Sequence, residues 1–132
     1  MKALIVEDDF ISRLILQKIL SPYGVCDIAV NGKEAITAFT YALDNGDPYD
    51  LICLDIMMPE MDGRDALKVI RDKESQINLP PNKEVKIIMT TALDDAHEVI
   101  DAFYKGGCTS YLVKPIEKRK LTGLLKDYGL IK

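Results

Sequence analysis

The sequence predicts an α/β fold, a doubly wound parallel sheet of five strands in the order 2-1-3-4-5 accompanied by five helices. Three observations carry that expectation. Short apolar runs alternate with segments of helical period along the whole chain. The first, third and fourth runs are apolar almost without interruption, as strands covered on both faces are. Turn-forming pairs fall between the segments, and right-handed crossovers then leave few other topologies.

The expected strands are Ala3–Val6, Val25–Val30, Leu51–Leu54, Val85–Met89 and Ser110–Val113. The first helical segment carries Ile11, Leu14, Ile15 and Ile19 at helical spacing, and the second Ala35, Ile36, Phe39, Ala42 and Leu43. Ala66, Leu67 and Ile70 mark the third, Ala96, Val99, Ile100 and Phe103 the fourth, and Leu121, Leu124, Leu125 and Tyr128 the last. Gly129 is placed to cap that last helix. Asn31-Gly32, Asp62-Gly63, Pro80-Pro81 and Gly106-Gly107 punctuate the pattern. The longest polar connection, Asp72–Lys83, reads as a surface loop.

At 132 residues and 48% hydrophobic composition, the chain is long enough for one domain with a proper core, 1–132. It has no repeat, low-complexity tract or interdomain linker. No apolar run approaches the roughly 20 residues that cross a bilayer. The opening Met1–Val6 runs directly into Glu7-Asp8-Asp9, unlike a secretory signal, so a cytoplasmic protein is expected. The net charge of −4 offers no electrostatic footprint for nucleic acid or anionic lipid, which points to protein partners. The three cysteines, Cys26, Cys53 and Cys108, follow no metal-ligand spacing, and the first two lie in strand-like runs where a reduced thiol serves as a small hydrophobe.

In an open α/β sheet, ligands bind beyond the carboxyl ends of the strands, where the strand order reverses. Asp8 and Asp9 follow strand one, Asp55 follows strand three, Thr90 and Thr91 follow strand four, and Lys114 follows strand five. Three carboxylates thus converge on one rim with a hydroxyl and an ammonium. Such carboxylates repel one another and are costly to desolvate unless a cation compensates. Hard oxygen ligands suit Mg²⁺, which keeps several waters and binds through a few carboxylates and phosphate oxygens. A carboxylate can also act as a nucleophile and become an acyl phosphate, a reaction that needs positioning and charge neutralisation. Taken singly, Asp9 reads as a helix N-cap and Asp62 as a turn residue. Their shared rim is what favours the chemical reading.

Glu7-Asp8-Asp9, the run D-I-M-M-P-E-M-D-G at 55–63, Thr91-Ala92 and Lys114-Pro115 closely resemble the receiver domain of two-component response regulators, a flavodoxin-like fold, and the chemotaxis-regulator type in particular. The resemblance spans essentially the whole chain. It implies that Asp55 is the phosphoacceptor and that Asp8, Asp9, Asp55 and the Met57 backbone carbonyl bind Mg²⁺ or Mn²⁺. Thr91 and Lys114 would hold phosphoryl oxygens, Thr91 and Tyr111 would form the switch, and the Lys114-Pro115 bond would be cis at Pro115. Met57 and Leu93, two residues beyond Asp55 and Thr91, would tune dephosphorylation. The implied phosphodonor is a sensor histidine kinase or histidine phosphotransfer protein, and the output is altered affinity for a protein target. The domain would turn over no external metabolite. A chain starting at Met1 and ending just past the last helix reads as a stand-alone receiver.

Two other readings of the motifs are weaker. An aspartate-nucleophile phosphatase of the haloacid-dehalogenase type places a second aspartate two residues after the first, where this chain has Met57. A flavodoxin-like cofactor binder needs a phosphate loop after strand one, where Glu7-Asp8-Asp9-Phe10 would repel a phosphate. His97 reads as a solvated surface residue, Asp94 and Asp95 as a helix cap, and Lys118-Arg119-Lys120 as a solvated helix face.

Overall fold

The computed structural model describes residues 1–92 and 107–132. It contains a parallel sheet of five strands, β1 (Lys2–Val6), β2 (Val25–Ala29), β3 (Leu51–Asp55), β4 (Lys86–Thr91) and β5 (Ser110–Val113), in the order β2-β1-β3-β4-β5. The described helices are α1 (Phe10–Leu20), α2 (Gly32–Asp44), α3 (Gly63–Gln76) and, at the C-terminal end, α4 (Lys118–Asp127), with short 3₁₀ turns at Ser21–Tyr23 and Pro81–Lys83. The expected fourth helical segment, with Leu93, Asp94, Asp95 and His97, lies outside the described residues.

Alternation along the strands divides the core into two layers. Leu4 and Val6, Ile52 and Leu54, Ile87 and Met89 face α2 and α3, where Phe39, Ala66, Leu67 and Ile70 meet them. Ala3 and Ile5, Leu51 and Cys53, Ile88 and Leu112 face α1 and α4, packing on Leu16, Ile19, Leu20, Leu121 and Leu125. Each large aliphatic chain so buried is worth roughly 1.5–3 kcal/mol of transfer free energy. This double coverage explains why β1 and β3 read as unbroken apolar runs.

The helix ends follow local chemistry. Asp9, Asn31 and Asp62 are the N-caps of α1, α2 and α3, each with a side-chain oxygen accepting a first-turn N–H. At the end of α4, Gly129 takes φ +74° while Leu130 N–H reaches back to Leu125 O at 2.9 Å, a left-handed C-terminal cap.

Two sequence expectations need correction. The face of α1 that meets the core is Leu16, Ile19 and Leu20, whereas Ile11, Leu14 and Ile15 are exposed. With apolar residues at most positions of FISRLILQKIL, periodicity alone cannot choose the inward face. The Asp72–Lys83 segment is not all loop, since α3 runs to Gln76 and buries Glu74. That carboxylate, 2% exposed, accepts from Arg71 Nη1 at 2.6 Å and from Val85 N–H at 2.7 Å. Arg71 also donates to Val85 O and Gly107 O, both at 2.9 Å, so one guanidinium ties α3 to the starts of β4 and β5.

Candidate functional site

The site lies where β1, β3, β4 and β5 end. Strand register places Asp55, the last residue of β3, opposite Thr90 of β4, and Val6 of β1 beside Leu54. The next residue of β1's extension is Glu7, whose N–H donates to Ala29 O at 3.0 Å and so stays in the sheet. Its side chain is 0% exposed. Glu7, Asp8 and Asp55 each bring a carboxylate oxygen within 4.8 Å of the others, which is the acidic cluster of the described residues.

Lys114, just past β5, supplies the cation. Its Nζ lies 2.5 Å from Glu7 Oε1 and 3.3 Å from Asp55 Oδ1. Burial pushes the Glu7 carboxyl above its ordinary range, and its hydrogen bond with Asp55 adds to this, while Lys114 pulls partly the other way. For Lys114, burial would lower the ammonium, but the hydrogen bond to Glu7 and the charges of Asp55 and Glu7 outweigh it and the group is raised. Two of the three acids, Glu7 and Asp55, therefore share the Lys114 ammonium.

Asp9, expected among the metal ligands, caps a helix. Its carboxylate accepts Ser12 N–H at 2.9 Å as the cap of α1, and that hydrogen bond holds its carboxyl pKa below the usual range. The residue that completes the cluster is Glu7. The sequence shows Glu7 within the acidic run without marking it as the buried member, and the D-x-x-S spacing of Asp9 and Ser12 agrees with the N-cap reading of Asp9.

The remaining predicted residues are distributed around this cluster. Thr91 is buried at the end of β4, with its hydroxyl 3.2 Å from Ala92 O. Tyr111 on β5 is half-buried against the α2–α3 side of the core. Met57 projects an exposed side chain from the loop after Asp55. The Lys114-Pro115 peptide is cis. Leu93 lies outside the described residues.

The loop from Asp55 to α3 is held tightly. Gly63 N–H donates to Ile56 O at 2.9 Å, and the helix start presses so closely on the acceptor strand that a Cβ at Gly63 would collide with Asp55 O. Asp62 caps the helix from the same turn. Burial alone would raise its carboxyl, yet the bonds from Asp65 and Arg64 bring it down.

Chemically, the donor set is hard oxygen only and carries excess negative charge, which suits a small divalent cation and does not suit a soft metal. The cysteines stand apart from it. All three are free thiols, and burial pushes Cys53 up to about 12, so it is an inert core residue. No described helix is long and apolar enough to cross a membrane.

The sequence model of the response regulator receiver domain matches residues 3–126. Hybrid signal transduction histidine kinase L of Dictyostelium discoideum is 35% identical over 129 residues, covering 97% of this chain and only 7% of that protein. The two-component response regulator ORR41 of Oryza sativa subsp. japonica is 30% identical over 129 residues, covering 98% of this chain and 94% of that protein. The chain thus spans a small fraction of the hybrid kinase and nearly all of the rice regulator. The receiver domain of the Arabidopsis thaliana histidine kinase CKI1, solved with Mg²⁺ and BeF₃⁻, has a TM-score of 0.81 at 28% identity, covering 97% of this chain and 89% of that one. Vibrio cholerae chemotaxis protein CheY4 has a TM-score of 0.78 at 26% identity, covering 96% and 97%.

Proposed function

The chain belongs to the response regulator receiver domain family, and we propose from that premise that it is a phosphorylation-dependent switch with Asp55 as its acceptor. One observation carries the reading. Three carboxylates converge at the rim and the Lys114 ammonium pairs with two of them, so the site has a nucleophile, a place for a compensating cation and a group to pair with an arriving phosphoryl oxygen.

An Asp55 carboxylate oxygen attacks the phosphorus of a phosphohistidine on a sensor kinase or histidine phosphotransfer protein. The P–N bond breaks, the imidazole leaves, and an acyl phosphate remains on Asp55. Glu7, Asp8, Asp55 and the Met57 carbonyl would hold Mg²⁺, or Mn²⁺ in its place, which neutralises charge on the transferring group when bound. Lys114 leaves Glu7 to pair with a phosphoryl oxygen, and the Thr91 hydroxyl donates to another. The added charge of about −1.5 to −2 thereby draws Thr91 inward. Tyr111 then turns, and the β4–β5–α4 side changes its affinity for a protein target. The domain acts on no external metabolite.

Two features of the chain give this reading more detail. Phe10 and Ile11, 62% and 60% exposed, with Leu14 and Ile15, form an apolar α1 surface beside a groove of about 350 Å³ lined by Ile11, Ser12, Ile15, Lys114, Pro115 and Ile116. A helical phosphodonor docked there would bring its histidine to Asp55. Met57 and Leu93 carry no group that orients water, so hydrolysis of the acyl phosphate is slow and the signal long-lived.

The test is labelling by acetyl phosphate with Mg²⁺, read by mobility shift on a phosphate-binding gel. Wild type becomes labelled and Asp55→Asn does not, at unchanged circular dichroism. Equal labelling of the variant rejects Asp55 as acceptor.

A further inference from the structure

Glu7 is held at each of its polar atoms. Its N–H meets Ala29 O at 3.0 Å, its Oε1 meets Lys114 at 2.5 Å, and its Oε2 accepts Asp9 N–H at 3.3 Å. The remaining group, the backbone carbonyl, accepts from Arg13 Nη1 at 3.1 Å. Asp8 is the contrasting neighbour. It is exposed, and among the described residues its carboxylate has no hydrogen bond. Its direction is therefore set by the peptide that joins it to Glu7, and the carbonyl of that peptide is the one Arg13 holds.

The geometry of α1 makes this grip natural. Arg13 lies one turn into the helix, and helical side chains lean toward the N-terminus, back over the loop they follow. The guanidinium carbon sits over the Phe10 ring, 5.6 Å from its centroid, so the cation has an aromatic neighbour while it donates. The half-buried Arg13 brings a second positive charge near the acids, but its described hydrogen bond goes to a carbonyl rather than to a carboxylate.

We propose that Arg13 is a positioning residue for the acidic cluster. By gripping the Glu7 carbonyl it fixes the Glu7–Asp8 peptide, and so aims the Asp8 carboxylate at the place a divalent cation takes. This rests on the cation-assisted reading of the site given above. The two roles a cation can have here predict opposite signs. A bare positive charge near the acids would repel a metal ion, so its removal would tighten binding. A positioning role means that removal weakens binding, as losing an outer-shell partner does.

The experiment is Mn²⁺ binding to the full chain, followed by the electron paramagnetic resonance signal of the free ion. Arg13→Met keeps the apolar stem and removes both donor and charge. Its dissociation constant should rise roughly tenfold, the low end of outer-shell losses, and Arg13→Lys should recover part of that. Thermal melting monitors the fold, whose α1 contacts through Leu16, Ile19 and Leu20 are untouched. If Arg13→Met binds Mn²⁺ as tightly as wild type, or more tightly, the positioning role is overturned whatever its melting temperature. Asp8→Asn separates this failure from the wider one. A wild-type site that Asp8→Asn weakens but Arg13→Met does not removes Arg13 alone, whereas a wild type without such a site removes the metal reading as well.

Discussion

Among the described residues two glutamates are buried, at opposite ends of the sheet, and they are treated differently. Glu74 receives a guanidinium at 2.6 Å and a backbone N–H at 2.7 Å, and Arg71 spends its other donors on backbone carbonyls. Glu7 also has two partners, but its ammonium lies only 3.3 Å from Asp55, and Asp8 adds a third carboxylate. At one end the buried carboxylate keeps a close guanidinium and a backbone N–H, and the second acid near that guanidinium, Glu84 at 3.6 Å, is partly exposed to water. At the other a lysine is divided among acids, and the surplus is what a metal and a phosphoryl group can act on. A buried carboxylate thus marks function only when its compensation is incomplete.

The sharpest way to break this contrast is to unbalance the balanced end. Glu74→Ala takes the close anion from a half-buried guanidinium, leaving only Glu84 at 3.6 Å, and strips the Val85 N–H of its acceptor; it should cost about 3 kcal/mol, or roughly 10 °C in melting temperature for a domain of this size. Labelling of the folded fraction by acetyl phosphate should be unchanged, because the network is remote from Asp55. A labelling defect equal to that of a site variant would erase the distinction between the two ends.

Glu7→Gln should act in the reverse sense, raising the melting temperature of the metal-free protein by about 3 °C while weakening Mg²⁺ binding. The pH dependence has a definite sign. Because the folded Glu7 carboxyl is raised above 4.5, protonation favours the fold; that contribution is complete below 4.5 and is lost as pH rises through the folded value. The advantage of Glu7→Gln over wild type should therefore shrink as melts are repeated from pH 7 down toward 4.5. A constant gap would mean that Glu7 carries no excess charge cost.

Met57→Asn places a hydrogen-bonding group beside the acyl phosphate, and should speed its loss by roughly fivefold in a chase after donor removal. The double variant Met57→Asn, Leu93→Glu should be faster still. No acceleration would show that water access does not limit the lifetime. The smallest effect belongs to Asp9. Asp9→Ala loses a helix cap and should lower the melting temperature slightly, Asp9→Asn should not, and neither should change Mg²⁺ affinity by more than about twofold. A large affinity loss in both would return Asp9 to the metal site.

Much of this was legible in the residues, because the strong signals are local and redundant. Five apolar runs with turn pairs between them define the sheet, and Asp55, Thr91 and Lys114 fall at strand ends whatever the exact helix bounds. The residues alone decide least where several of them compete for one role. Three consecutive acids follow β1, and only the strand's continuation through Glu7, bonded to Ala29 O, decides which of them point into the site. Ile11 and Ile15 fit an inward stripe as well as Leu16 and Leu20 do, and the docking of the whole helix makes the choice. Glu74 looked like loop polarity because its partner Arg71 and the Val85 N–H meet it only in three dimensions.

Gly63 limits how this sequence can drift. Because its missing Cβ is the space through which α3 touches Asp55 O, even alanine there would push a whole helix off the acceptor strand. The site's polar members can be exchanged in steps, one acid for another or one hydroxyl for another. This position has no intermediate steps, so sequence change around the loop 56–62 can proceed one side chain at a time, within the needs of the Asp62 cap and the buried Ile56 and Met58, but cannot alter the spacing that delivers a glycine to residue 63.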